Sequence, residues 1–244
     1  RGIDLGMTHV DTAELYGSGA AETIVGEAIA SLREELFIVS KVMPSNASRQ
    51  GTIAACENSL KRLGTDRLDC FLLHWRGRYP LEETFAGFAE LKRAGKIRSW
   101  GVSNFDADDL DEALSIAGEG VIACNQVLYH LQERGIEHAV IPWSEKHGVA
   151  LVGYSPFGHS GFPAPRTKRG AVLAEIGAAH GVSSRAVALA FLTRRPSLFT
   201  IPKAADPLHV AENAAAGDLT LSAAEIKRID AAFPLGGAGP LAMI

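Results

Sequence analysis

The sequence predicts an α/β fold, a parallel sheet closed into a (β/α)8 TIM barrel, and three observations carry that reading. Short apolar runs alternate along the chain with segments of helical periodicity, the pattern of strands joined by crossover helices. Each apolar run ends in a residue suited to chemistry: Asp11, Lys41, His74, Asn104, Gln126, Tyr154 and Lys203. No G-x-G-x-x-G follows any of these runs, whereas a doubly wound sheet gathers its ligand contacts at one switch point and commonly marks it with those glycines. Contacts contributed by strand ends along the whole chain are what a barrel uses, because all of its strands open on one face.

Ile3 and Leu5 before Gly6 read as the tail of a helix, and the run through Val10 to Asp11 as a strand that leads to Tyr16 and a turn at Gly17-Ser18-Gly19. Residues 20–32 place Ile24, Ala28 and Leu32 at i, i+4 and i+8, a helical face. Leu36 to Ser40 is a buried strand ending at Lys41. In residues 49–63, Ile53, Cys56, Leu60 and Leu63 form one helical stripe, stopped by Gly64. Leu68 to Leu73 is a strand ending at His74-Trp75. Leu81, Phe85, Phe88 and Leu91 mark a helix closed by Gly95, and Ile97 to Val102 a strand ending in Ser103-Asn104.

The alternation continues with a helix over 107–117, a short strand from Val121 to Asn125 ending at Gln126, a helix over 135–147, and a strand from Val149 to Gly153 ending at Tyr154. Gly and Pro make 155–165 a long loop. Helices over 169–180 and 184–193 precede a last strand, Leu198 to Ile201, which delivers Pro202-Lys203. The closing helix carries a capping box, Ser222 with Glu225, and a face of Ile226, Ile229 and Phe233. Seven strands are one short of a closed eight-stranded barrel. The chain starts at Arg1-Gly2 without Met, so the expectation is that the first strand and most of the first helix of the natural protein are missing.

The 244 residues fit a single barrel domain over 1–244. A composition of 47% hydrophobic and 21% charged residues is that of a soluble globular protein with a sizeable core. The net charge of -4 and the scattering of Lys and Arg argue against a nucleic-acid partner. Cys56, Cys70 and Cys124 sit in apolar surroundings without metal spacing, so they are expected reduced and buried, in a cytoplasmic protein that binds no metal there. No apolar run approaches membrane-spanning length.

Each strand-end residue has a plain alternative. Lys41 could be a solvated charge, His74 a packed ring beside Trp75, Ser103-Asn104 a helix cap and Tyr154 part of the core. In a barrel these ends converge, and a mechanism follows. Asp11 pairs with Lys41; the ammonium beside Tyr16 makes the phenol a readier proton donor; Tyr16 protonates an oxygen to which His74 donates a hydrogen bond. That arrangement suits carbonyl reduction, where the oxygen gains negative charge as hydride reaches carbon. No side chain supplies hydride, so a nicotinamide cofactor is required. Asn104 and Gln126 can meet its carboxamide, and Tyr154 can lie on its ring.

The run Asp11-Thr12-Ala13 to Tyr16-Gly17, continued by Glu22 and Gly26, resembles the D-T-A-x-x-Y-G signature of the aldo-keto reductases. Ile38-Val39-Ser40-Lys41, Leu72-Leu73-His74-Trp75, Gly101-Val102-Ser103-Asn104-Phe105, Asn125-Gln126, Gly153-Tyr154-Ser155-Pro156 and Ile201-Pro202-Lys203 fall in the same family order. The resemblance covers essentially the whole chain. It implies an NADP-dependent reductase of aldehydes or ketones, using NADPH, with Asp11, Tyr16, Lys41 and His74 as the catalytic tetrad and Tyr16 as general acid. Tyr16, His74 and Trp75 would face the substrate.

By the same resemblance Ser103, Asn104 and Gln126 hold the carboxamide, Tyr154 stacks on the nicotinamide, and Ser155, Pro156, Phe157 and Gly158 lie along the pyrophosphate. Ile201, Pro202, Lys203, Ala204 and His209 belong to the 2'-phosphate segment, with Lys203 on the phosphate, and Glu212 and Asn213 would bind adenine. Two residues depart from the family pattern. Ala204 and His209 stand where a small polar residue and an Arg usually meet the 2'-phosphate, so NAD is the less favoured nucleotide but not an excluded one. Arg76 stands where many members have Pro, and could favour acidic or polar substrates. A cofactor-binding regulatory subunit of low turnover, and a barrel isomerase or lyase, are the alternatives.

Overall fold

The structure is a computed structural model that describes residues 1–244. It contains seven strands, ordered in the sheet as they occur in the chain, β1 to β7. The residues form two compact units, one of Thr8–Asn125 and one of Arg1–Met7 with Gln126–Ile244.

In the Thr8–Asn125 unit, β1 (His9–Asp11), β2 (Phe37–Val42), β3 (Leu68–Leu73) and β4 (Ile97–Ser103) run parallel, with Asp11 opposite Val39, Lys41 opposite Leu72 and Leu73 opposite Val102. Every residue of β3 is buried, as expected of a parallel strand covered on both faces. Its one charge, Asp69, is held by Arg33 and Arg98, each at 2.9 Å, and accepts the Ile38 backbone N–H.

The helices of this unit are α1 (Ala20–Ile29), α2 (Arg49–Leu63), α3 (Leu81–Arg93) and α4 (Ala107–Ala117). Ser48 caps α2 by accepting the Gly51 N–H, and Gly64, at φ 63°, ends it in the left-handed conformation that a glycine adopts freely. α1 corrects the sequence reading. Its buried residues are Glu22, Gly26 and Ile29, while Ile24 is 66% exposed. Gly26 lets the helix approach the backbone of α2, since a Cβ there would stand 2.6 Å from the Leu63 carbonyl oxygen. Glu22 is buried on that same face, paired with Arg62 at 2.6 Å and accepting the Ser40 hydroxyl. An apolar stripe counted by spacing missed a face built from a glycine and a paired acid.

β5 (Ile122–Leu128) extends further than its sequence pattern suggests. In the other unit, β6 (Ala150–Tyr154) and β7 (Leu198–Thr200) pair in parallel, with Gly153 opposite Thr200. The helix expected over 135–147 is a 3-10 turn at Gly135–Glu137 followed by α5 (Val140–His147). α6 (Lys168–His180), α7 (Ser184–Leu192) and α9 (Ala223–Ala232) lie close to expectation, the last with the Ser222–Glu225 capping box formed. α8 (Pro207–Ala215) is a helix where none was expected. Pro207 stands in its first turn and Asp206 caps it, accepting the Leu208 N–H at 2.8 Å. Its periodicity is faint because Leu208 is 75% exposed and Asn213 is the buried residue of the helix.

Candidate active site

The Thr8–Asn125 unit assembles the four acid-base residues. Parallel β1 and β2 bring Asp11 and Lys41 to the same end, and β3 stops one residue before His74, whose N–H donates to the Val42 carbonyl at 3.0 Å. Tyr16 arrives on a turn in which Gly17, Ser18 and Gly19 all have positive φ, 58°, 53° and 92°. Lys41 is fully buried, and its ammonium donates to Asp11 Oδ1 at 2.5 Å, the Thr12 carbonyl at 2.9 Å and the Tyr16 hydroxyl at 3.3 Å. Two of the three ammonium donors are thus taken up by a carboxylate and a backbone oxygen, which directs the third onto the phenol. A buried ammonium is tolerable because its carboxylate partner is almost as deeply buried and the remaining protons are bonded.

The His74 imidazole stands edge-to-face with the Tyr16 ring, centroids 5.7 Å apart, and its other neighbour is Trp75 at 4.9 Å. Burial, with the Lys41 charge adding to it and Asp11 opposing, holds the imidazole down at about 4, so the ring is neutral near neutral pH. Its Nδ1 is buried without a partner.

Ser103 and Asn104 close β4 beside this group. Asn104 sits in the left-handed region at φ 60° and its amide donates to the His74 carbonyl and to Ser103 Oγ, both at 3.1 Å. Asn tolerates that conformation better than most residues, and strained backbone of this kind gathers at functional sites. Asn125 pins the same turn: its side chain donates to the Phe105 carbonyl at 2.8 Å and accepts the Phe105 N–H. Arg76 pairs with Asp109 at 3.1 Å and Glu112 at 2.7 Å on α4, so its charge is already matched within the unit.

The other unit contains a second grouping. Gln126 is buried on β5 and Tyr154 is half-buried at the end of β6. Ser155 follows at φ 51°, accepting the Gly158 N–H at 2.8 Å in a tight turn. Phe157, Gly158, Lys203, Ala204, His209 and Asn213 line one cavity of about 380 Å³. Ser155, Pro156, Ile201, Pro202 and Glu212 do not line it, though Glu212 adjoins Asn213 on α8. Gly158 is required by its φ of 74° and not by crowding, since the nearest atom to a Cβ there is 3.7 Å away. Lys203 gives the cavity a fixed positive charge, no Asp or Glu lines it, and α8 contributes polar residues: an anionic nucleotide fits this lining.

Three contributors were missed from sequence, and the role of a fourth, Glu22, was not seen. Thr12 acts through its backbone carbonyl, which residue type does not announce. Glu14 accepts the Met43 N–H at 2.7 Å and so ties the β1 turn to the end of β2. Glu22 was placed in the signature but without its buried pairing to Arg62. Arg185, on α7, lines the cavity with Lys203, and no pattern in the sequence marks it.

Comparison with known proteins bears on these two groupings. The model of the Aldo/keto reductase family matches residues 1–233. The chain is similar to methylglyoxal reductase YeaE of Escherichia coli (strain K12), 47% identical over 233 residues, covering 96% of this chain and 82% of that protein. It is 33% identical over 229 residues to glyoxal reductase of Bacillus subtilis (strain 168), covering 94% of this chain and 80% of that protein. Among solved structures, an aldo/keto reductase from Klebsiella pneumoniae in complex with NADP and acetate superposes with a TM-score of 0.93 at 42% identity, covering 100% of this chain and 86% of that one.

Proposed function

This chain belongs to the aldo/keto reductase family, with the α/β barrel fold of that family, and from that premise we propose that it reduces an aldehyde or ketone to the alcohol with NADPH, Tyr16 giving the proton. The observation that carries the reading is the buried Lys41 ammonium shared between Asp11 and the Tyr16 hydroxyl. When bound, the nicotinamide supplies hydride to the carbonyl carbon. The oxygen gains negative charge as this happens, and Tyr16 transfers its proton there. Lys41 stabilises the tyrosinate left behind, and Asp11 keeps the ammonium in place. His74 is neutral, so it offers the oxygen a single N–H without competing for its proton. Tyr16 is 39% exposed, enough to recover a proton from water between turnovers.

In this proposal Ser103, Asn104 and Gln126 hold the carboxamide and Tyr154 lies on the nicotinamide ring, as the family resemblance implies. The turn Ser155–Gly158 takes the pyrophosphate, Lys203 the 2'-phosphate, and Asn213 with Glu212 the adenine. Trp75, packed on His74, forms part of the substrate wall. The matched charge of Arg76 removes the reason to assign it an acidic substrate. Two similar proteins are named for methylglyoxal and glyoxal, so short 2-oxoaldehydes head the list of substrates. No helix is long and apolar enough to cross a membrane, and the three cysteines are free thiols, which suits a reducing compartment such as the cytoplasm.

The test follows quenching of Trp75, Trp100 and Trp143 on titration with NADPH and with NADH, and then the loss of reduced-nicotinamide absorbance when methylglyoxal is added. Tight NADPH binding and turnover are expected. Absence of binding by both nucleotides would remove hydride chemistry from the account, and binding without turnover across a panel of aldehydes and ketones would favour a regulatory role.

A further inference from the structure

The 2'-phosphate segment, Ile201 to His209, contains one fixed positive charge, Lys203. A lysine is a flexible point charge, whereas a phosphate monoester offers three oxygens that a guanidinium fork can engage in pairs. His209, an imidazole, has no such fork. The cavity that Lys203 and His209 line has a further cation, Arg185, brought to it by α7.

Arg185 is held for a task. Ser183 caps α7 by accepting the Ala186 N–H, which places Arg185 in the first turn of the helix. A cation there opposes the positive end of the helix dipole. Its guanidinium lies over the Phe162 ring at 5.0 Å and the Phe157 ring at 5.6 Å, two rings that themselves meet edge-to-face at 5.8 Å. Stacking on aromatic faces fixes the plane of the fork while its edge N–H groups stay available for an anion. Arg62, Arg134 and Arg194 meet carboxylates, but around Arg185 the lining is Lys203, His159, His209 and Asn213 with no acid. The arrangement concentrates positive charge where it lacks an internal counter-charge.

We propose that Arg185 is a cofactor-specificity residue that binds the 2'-phosphate together with Lys203, supplying from α7 the guanidinium that α8 lacks at His209. The inference rests on the cofactor reading given above. It gives a chain with histidine at that position a means of discriminating NADPH from NADH, which differ at this one dianionic group.

The experiment is calorimetric titration of the wild type, R185Q, R185K and K203A with 2',5'-ADP and 5'-AMP, then with NADPH and NADH, with melting temperature recorded for each variant. R185Q should bind 2',5'-ADP and NADPH about 10- to 100-fold more weakly, the range for a hydrogen bond to a charged group, and 5'-AMP and NADH within about twofold of wild type. R185K should fall between. Equal losses for all four ligands would make Arg185 a wall for adenine and overturn the proposal, as would unchanged affinity for all four. A wild type that binds NADPH and NADH equally would also overturn it while leaving the cofactor reading standing. A wild type that binds neither refutes the cofactor reading itself. Should R185Q melt well below wild type, the comparison of R185K with wild type decides, because that variant keeps stem and charge and loses only the fork.

Discussion

Lys41 is fully buried while Tyr16, which accepts a hydrogen bond from it, is 39% exposed. That asymmetry separates the charge that must be held from the proton that must move. The ammonium is fixed by Asp11 and the Thr12 carbonyl, so little rearrangement is needed as negative charge appears on the phenol oxygen. Tyr16→Phe removes the proton donor and keeps the ring against His74. It should lower kcat by about 100-fold or more, the scale of general acid catalysis, with NADPH affinity unchanged. A variant that retained most of its kcat would show that another group gives the proton. Asn104 and Asn125 matter at the same scale for a different reason, since both hold backbone and not a reacting atom. The one is bonded to the His74 carbonyl, the other to both backbone groups of Phe105.

At the scale of elements, the contact between α1 and α2 has a direct consequence for the tetrad. α1 begins immediately after the Tyr16 turn, and Glu22 on its buried face joins Arg62 of α2 to Ser40, the residue before Lys41. Gly26→Val forces a side chain against the Leu63 carbonyl and should cost about 1–3 kcal/mol by overpacking, read as a fall of several degrees in melting temperature. Ala28→Val, on the exposed side, should stay within about 0.5 kcal/mol of wild type. The reverse order would restore the face that hydrophobic spacing alone suggested. A kcat that falls with Gly26→Val while the protein remains folded would show that α1 positions the Tyr16 turn.

Across the whole molecule, buried ionisable groups set the response to acid. His74 is held at about 4, mainly by burial, against an ordinary 6.5, and burial also lowers His9. Between pH 6.5 and 4 the unfolded chain therefore takes protons that the folded chain refuses. Stability is full above that window and declines through it, by up to about 3 kcal/mol for His74. Glu137 behaves differently. Burial would raise its carboxyl, but hydrogen bonds from Arg134 and Tyr129 and the charges of Arg194 and Arg134 outweigh it and hold the group at about 2. Its contribution is present above pH 4.5 and is lost as pH falls toward 2. Urea midpoints measured against pH should fall in two stages, and His74→Gln should flatten the first while sparing the second. An unchanged first stage would place the responsible protons elsewhere.

Much of this was legible in the chain. Strands that carry or lead to Asp11, Lys41, His74, Asn104, Gln126, Tyr154 and Lys203 are read from short apolar runs, though β5 continues past Gln126 to Leu128 and β7 stops at Thr200, and their alternation with helices limits the fold to a parallel α/β sheet. α2 and α4 matched their expected bounds because each is bracketed by a capping side chain and a glycine stop, and β3 matched because its run is apolar but for Asp69. α8 and the buried side of α1 were not legible, since a helix held by Asp206, Pro207 and Asn213, or by Gly26 and a paired Glu22, carries little apolar pattern. The sequence by itself determined the alternation of seven strands with most of the helices, α8 excepted, and the chemical types near the strand ends, because both depend on local spacing and residue identity. Only the tertiary structure decided that Lys41 shares its protons among Asp11, Thr12 and Tyr16, that Arg76 is neutralised on α4, and that Arg185 meets Lys203 around one cavity. Those depend on distances between residues far apart in the chain, and a linear pattern does not contain them.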